Sequence, residues 1–208
     1  MNSKNVSAKS KVVVNLNGAY ITAKKNNKQI KNKYVKYKGK KYWFSSKGRG
    51  FLTVGDKKGD KAVAFILDNT KFKKGMKKNK KLKKLYATIV NKCAYSEVKT
   101  PKFKSNWYYK TGFKLSKTKR GKCYDYAALT ALCAKSLGLK AYIIIGKCEK
   151  NNERYIEHSW VTVDNKVLDS FFEDTDCSDK TNEPGFCLKS YEEVKEYYGY
   201  KYVIDDIY

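Results

Sequence analysis

Cysteine, histidine and aspartate side chains gathered in one site can run acyl transfer. Sulfur attacks a carbonyl carbon, imidazole carries the proton, and a carboxylate holds the imidazole in place. The chain has one histidine, His158, and six cysteines: Cys93, Cys123, Cys133, Cys148, Cys177 and Cys187. Cys123 follows Gly121–Lys122 and opens the run CYDYAALTALCAKSLGL, whose residues are apolar on nearly every side. Such a run reads as a buried helix, with Gly138 as its C-terminal stop. A helix N-terminus presents unsatisfied N–H groups and the positive end of the dipole, conditions that favour a thiolate. Lys119, Arg120 and Lys122 add positive potential beside it. Cys133, inside the same helix, reads as a small buried apolar residue.

His158 lies in YIEHSWVTV, where one face carries Ile156, His158, Trp160 and Thr162. A lone histidine beside aromatics is more often structural than catalytic, and the next segment changes that balance. If Asp164–Asn165 form a two-residue turn, Val163 pairs with Lys166 and Trp160 with Asp169. His158 is then diagonal to Asp169 on the same face, within side-chain reach. A four-residue loop keeps this parity and a three-residue loop breaks it. The candidate catalytic set is therefore Cys123, His158 and Asp169.

The elements that must position these residues read as follows. Leu82, Leu85, Tyr86, Ile89, Val90 and Cys93 form one apolar stripe of an amphipathic helix, entered from a lysine-dominated linker over 71–84. Pro101 and NWYYKTGF mark a loop before the cysteine helix. After that helix three strands are expected, KAYIIIGKC, YIEHSWVTV and KVLDSFF. Ser190 with Glu193 is a capping box for a short last helix, and YKYVI closes as an edge strand. Upstream, KVVVNL and KAVAFIL read as strands. YVKY and KYWF, either side of Lys38–Gly39–Lys40, read as an aromatic hairpin. Residues 1–10 read as disordered.

RGKCYDYAALTALCAKSLGL, then AYIIIG, HSWVTV and LDSFFEDT, resemble the core of the transglutaminase-like superfamily. That family shows Gly-x-Cys opening a buried helix, a strand ending in Gly, His-Ala-Trp on the next strand and Asp on the one after. Ser159 stands where the family usually has Ala. The resemblance covers roughly residues 80–175, with Leu82 to Val90 as the helix preceding the cysteine. It implies an α+β, papain-like fold: a buried helix carrying Cys123, packed on an antiparallel sheet carrying His158 and Asp169. It implies thioester chemistry, with the Cys123 backbone N–H as an oxyanion donor. Some relatives use an indole or polar side chain as a second donor; Trp107 and Tyr108 lie upstream but read as core. No cofactor or metal is implied. Separately, GKKYWFSSKGRG resembles a single aromatic–glycine repeat of the bacterial cell-wall-binding kind.

Charge divides the chain. Residues 1–122 hold 36 Lys/Arg and 4 Asp/Glu, giving +32, and residues 123–208 hold 10 and 16, giving −6, which sum to the net +26. The division suggests a basic, β-rich region over 1–70, a candidate docking module, and a catalytic domain over 71–208. The basic region would attract polyanions such as anionic cell-wall polymers. Only three of the 46 basic residues are Arg, which argues against nucleic acid. A single histidine and no CxxC pair argue against structural zinc. The Asp174, Asp176 and Asp179 cluster reads as a solvated loop. A disulfide between Cys177 and Cys187 would staple that loop in an oxidising compartment. No stretch has the length of a transmembrane span, and the opening MNSKNVSAKS has no apolar signal region. The expected location is a bacterial cell surface with the leader removed, with the cytoplasm left open.

The expected function is a transglutaminase-like cysteine peptidase or amidase acting on peptide or glutamine-type amides, with a protein or peptide as substrate. A crosslinking transglutaminase, an inactive transglutaminase-like binding module and a polyanion-binding protein are the alternatives.

Overall fold

The computed structural model describes residues 12–176 and 185–208. Strands β1 (Val12–Asn15), β2 (Thr22–Lys25) and β3 (Lys28–Gln29) form one antiparallel sheet. Strands β4 (Lys33–Tyr37), β5 (Lys40–Phe44) and β6 (Gly50–Leu52) form a second. The expected aromatic hairpin is β4–β5: Tyr37 pairs with Lys40 across Lys38 and Gly39, both at positive φ (47° and 73°). That is the geometry of a two-residue turn matched to strand twist.

Helices α1 (Lys57–Asn69) and α2 (Lys78–Lys92) follow. KAVAFIL lies in α1 and is not a strand. Asp56 accepts hydrogen bonds from the backbone N–H groups of Lys58 and Gly59, an N-cap that commits the chain to helix. Ala62, Val63, Ile66 and Leu67 then fall on one buried face. Position on the helix overrides the β preference of Val and Ile. In α2, the six stripe residues Leu82, Leu85, Tyr86, Ile89, Val90 and Cys93 are all buried, as their spacing requires.

Strand β7 (Ala94–Tyr95) leads to α3 (Trp107–Thr118) and then β8 (Arg120–Gly121), which pairs parallel with β7. NWYYKTGF is therefore mostly helix, not loop. Its glycine is a contact residue: a Cβ on Gly112 would come 2.8 Å from Leu132 Cδ1 and 3.3 Å from the Leu129 backbone. Those residues belong to α4 (Cys123–Ser136), so Gly112 is where α3 and α4 cross closely. Every α4 residue except Lys135 is buried. Gly138, at φ +72°, turns the chain away after its C-terminus.

Strands β9 (Ala141–Lys150), β10 (Ile156–Val163) and β11 (Lys166–Leu168) are antiparallel neighbours. Strand β9 does not end at Gly146 but runs on to Lys150. After β11 the chain turns into α5 (Ser170–Asp176), so SFF is helix and not strand: Asp169 caps it, accepting from Phe172 N at 3.1 Å. Strand β12 (Cys187–Lys189), α6 (Tyr191–Tyr198) and β13 (Tyr200–Ile207) complete the chain. The expected capping box is present at α6, with Ser190 Oγ accepting from Glu193 N at 3.0 Å and Glu193 Oε2 from Ser190 N at 2.6 Å. The main sheet has the order β12-β11-β10-β9-β13, which places YKYVI at an edge.

Alternation along β10 serves both sides of this sheet. Val161 and Val163 pack into the core shared with α2 and α4. Trp160 packs with Phe172, Phe186 and Val194 on the side of α5 and α6. A third core joins Trp43 and Phe51 of the second sheet to α1, α2 and α4. Cys187 is buried with a free thiol, while Cys177, Asp179 and residues 1–10 lie outside the described residues. Among the described residues no helix is long and apolar enough to cross a membrane.

Gly146 pairs with His158 on one side and Ile204 on the other. A Cβ there would lie 1.9 Å from the Val203 carbonyl oxygen, so β13 seats against bare backbone. Gly146→Ala is expected to lower the unfolding free energy by about 1–3 kcal/mol, as overpacking does. Urea denaturation reads this, and a loss below about 0.5 kcal/mol, the range of ordinary surface changes, would refute it.

Candidate active site

Cys123 is the first residue of α4 and is 7% exposed. The residues before it explain how it is held. Asp125 Oδ2 reaches back to accept from Lys122 N at 3.1 Å, satisfying a donor at the helix start. Gly121 leaves room for that carboxylate, since a Cβ there would meet Asp125 Cβ at 2.7 Å. The β7–β8 pairing, extended by Ser96 N donating to Gly121 O at 2.9 Å, fixes the strand that delivers Cys123. It also lays Tyr95, Glu97 and Thr100 along one side of the sulfur.

His158 and Asp169 meet as the hairpin parity requires. Asp164 and Asn165 both have positive φ (50° and 58°), Val163 pairs with Lys166, and Val161 pairs with Leu168. His158 Nε2 lies 2.6 Å from Asp169 Oδ2, with both side chains 1% exposed. The ring stacks on Phe172, with centroids 4.2 Å apart and planes 21° from parallel. With Nε2 taken by Asp169, Nδ1 is the nitrogen left for sulfur, and His158 and Cys123 line one cleft. The three residues singled out in the sequence are thus brought together.

Burial opposes a charged imidazole. The Asp169 carboxylate and its hydrogen bond, with a smaller contribution from Cys123, outweigh that and push His158 up to about 10. The ring is an imidazolium through the physiological range. Tyr202 donates from its hydroxyl to the same Asp169 Oδ2 at 2.9 Å. Burial, and then the Asp169 charge, push the Tyr202 hydroxyl up, which keeps it a donor. Asp169 Oδ1 is held by Phe172 N. The carboxylate that faces His158 is therefore fixed from three directions.

Above Cys123 is a cleft of about 260 Å³, walled by Tyr95, Glu97, Thr100, Ile156, Glu157 and Phe171. Lys122 Nζ donates to Thr100 Oγ1 at 2.7 Å across its rim, and Tyr95 donates to Glu97. Ser159 turns its hydroxyl onto Ile144 O at 2.8 Å, so the polar atom is satisfied inside the sheet. Trp107 is buried beside Cys123 and Tyr124, with Tyr108 packed against the same cluster.

Tyr202 and the 95–100 wall were not singled out in the sequence. Alternation in YKYVI sets Tyr200 and Tyr202 on one face, but nothing local says which strand that face would meet. Residues 95–100 carry no periodicity at all.

A cysteine at a buried helix start, sharing a cleft with a histidine that an aspartate holds on the adjoining sheet, is the arrangement of papain-like thiol proteins. Residues 67–167 match the family model described as the transglutaminase-like superfamily. Members of that superfamily are usually cysteine-dependent enzymes. The matched stretch includes Cys123 and His158 and ends just before Asp169. No curated protein matches the chain.

Because His158 is the only histidine, its ring carbon and nitrogen signals can be followed by NMR without assignment. Its titration is expected near pH 10, falling by more than one unit in Asp169→Asn, since one unit is about 1.4 kcal/mol of charge interaction. A wild-type midpoint near the unperturbed value of about 6.5 would contradict the geometry. The sign for stability follows from a raised folded pKa. The stability that His158 gains from Asp169 is full below about pH 6.5 and is lost as pH rises through about 10.

Proposed function

We propose that the chain is a cysteine-dependent amidase or peptidase working through a thioester, with Cys123 as nucleophile, His158 as acid and base, and Asp169 as orienting partner. The observation that carries this is the single imidazole bound on one nitrogen by Asp169 and lining the same cleft as Cys123. In the first half-reaction the Cys123 thiolate attacks the amide carbonyl carbon, and a C–S bond forms. The developing oxyanion takes the Cys123 backbone N–H, a donor without an intrahelical partner at the first position of α4. On collapse the C–N bond breaks and the imidazolium gives its proton to the departing amine. In the second half-reaction the neutral imidazole takes a proton from water as its oxygen attacks the thioester. The C–S bond breaks, the acid leaves, and the thiolate–imidazolium pair is restored.

A second reading, transamidation, is favoured by the cleft wall. Glu97 and Glu157 line it, opposed at the rim by Lys122 and deeper by the buried His158 ring, in a protein of net charge +26. Two carboxylates at the mouth would draw a primary amine toward the thioester.

Iodoacetamide alkylation followed by peptide mapping tests the first half-reaction. Burial pushes the Cys93 thiol up to about 12 and raises those of Cys133 and Cys187 as well, so these three compete little, and the mapping separates Cys123 from Cys148 and Cys177. Labelling of Cys123 at neutral pH is expected to outpace that of the other described cysteines and to slow about tenfold or more in His158→Ala. A Cys123 that labels no faster than the rest, indifferent to His158→Ala, would sink the proposal. A fluorescent primary amine joined to a glutamine peptide, faster than its hydrolysis, would select transamidation.

A further inference from the structure

The largest cavity among those described lies beside the cleft, not over it. It is an open groove of about 980 Å³ between the first turns of α1 and α3 and the loop over 101–106. Lys57, Lys58, Lys61, Lys102, Lys104 and Lys110 line it. All six are exposed, and among the described residues none of their ammonium groups makes a hydrogen bond or ion pair. The one acid in the groove wall, Asp56, is occupied in capping α1. Six like charges on one groove repel one another, a cost that a bound anion relieves.

One further feature points the same way. Helix α3 begins in the groove at Asn106, in left-handed conformation and with no side-chain cap on its first N–H groups.

The groove adjoins the cleft over Cys123. Thr100 lines the cleft and Pro101, its chain neighbour, lines the groove. The Phe103 ring lies 5.1 Å from both the Trp107 ring in the groove wall and the Tyr124 ring in the cleft wall. A chain leaving the cleft past Thr100 would meet the groove next.

We propose that the groove binds the acidic flank of a polypeptide substrate, Asp- or Glu-rich on one side of the amide presented to Cys123. The choice of a polypeptide over other polyanions rests on the acyl-transfer reading of Cys123; the anion preference does not. All six cations are lysines, compact point charges suited to a run of mobile carboxylates, and no arginine fork is present for bidentate phosphate.

The test is binding of fluorescent poly-L-glutamate to the full chain, read by anisotropy at several salt concentrations. Binding is expected to weaken steeply with salt and by about tenfold in Lys57→Gln/Lys58→Gln/Lys61→Gln, each charge counting about twofold. Lys102→Gln/Lys104→Gln, in the loop and outside any helix, should weaken it about fourfold on the same scale. Lys24→Gln/Lys25→Gln/Lys28→Gln, the same charge change on the first sheet, should leave it unchanged, as should Cys123→Ala. Equal weakening by the two triple variants would assign binding to net charge and overturn the proposal, as would no binding at all. Polyphosphate of equal charge displacing poly-L-glutamate at lower concentration would assign the groove to phosphate polymers and overturn it too. Because binding is read in Cys123→Ala, failure here is separable from an inert Cys123, which the alkylation experiment detects.

Discussion

Asp169 is the point on which the rest of the structure depends, because every polar atom it has is engaged by a different part of the chain. Its Oδ2 accepts from His158 and from Tyr202 on β13, and its Oδ1 caps α5 through Phe172 N. Its backbone carbonyl accepts from the Tyr86 hydroxyl on α2 at 2.8 Å, and its N–H donates to Phe186 O at 2.9 Å. The same Tyr86 proton is shared with the buried Glu173, whose other bonds come from the backbone N–H groups of Gly185 and Phe186. One residue thus ties α2, α5, both edges of the main sheet and the His158 strand. A buried carboxylate is costly to desolvate, and hydrogen bonds from several directions offset that cost. The same bonds that stabilise it fix where its charge points, so the fold and the histidine's protonation rest on one group.

The second constraint is α4. A helix apolar on every side must be enclosed, and it is: α2, α3 and α1 pack on it, with the main sheet against it. Enclosure leaves its N-terminus as the one end where chemistry can reach solvent. Gly121 and Asp125 shape that end and the β7–β8 pairing anchors it. The position of the sulfur is thus set by packing some distance away as much as by contacts around it.

Much of this was legible in the sequence, and what was not has physical causes. The His158–Asp169 contact followed from period-two alternation and a two-residue turn of Asp and Asn, both residues that accept positive φ. The apolar stripe of α2 and the uniform apolarity of α4 needed no tertiary information. KAVAFIL suits a strand by composition, and the Asp56 cap that commits it to helix α1 acts through backbone groups that composition does not show. NWYYKTGF suits a loop by itself, and helix α3 forms there because α4 packs closely against Gly112. Phe171 and Phe172 suit a strand until the second oxygen of Asp169 is seen to start a helix. Tyr202 was out of reach: it is distant in sequence, and its partner is set by strand order, which local patterns do not encode.

Charge is arranged on two scales that would conflict if they overlapped. The chain as a whole is strongly basic, and a uniform positive field would disfavour an imidazolium at the site. Burial screens little, so near charges dominate, and the nearest to His158 is the Asp169 carboxylate. Glu157 and Glu97 extend the negative lining at the cleft, while the unpaired lysines of the front half collect in the adjoining groove. A Debye length of about 8 Å at physiological salt lets these neighbouring regions act on different parts of one bound chain. Local carboxylates can therefore keep the histidine charged inside a protein whose surface attracts anions, and the two fields need not be traded against each other.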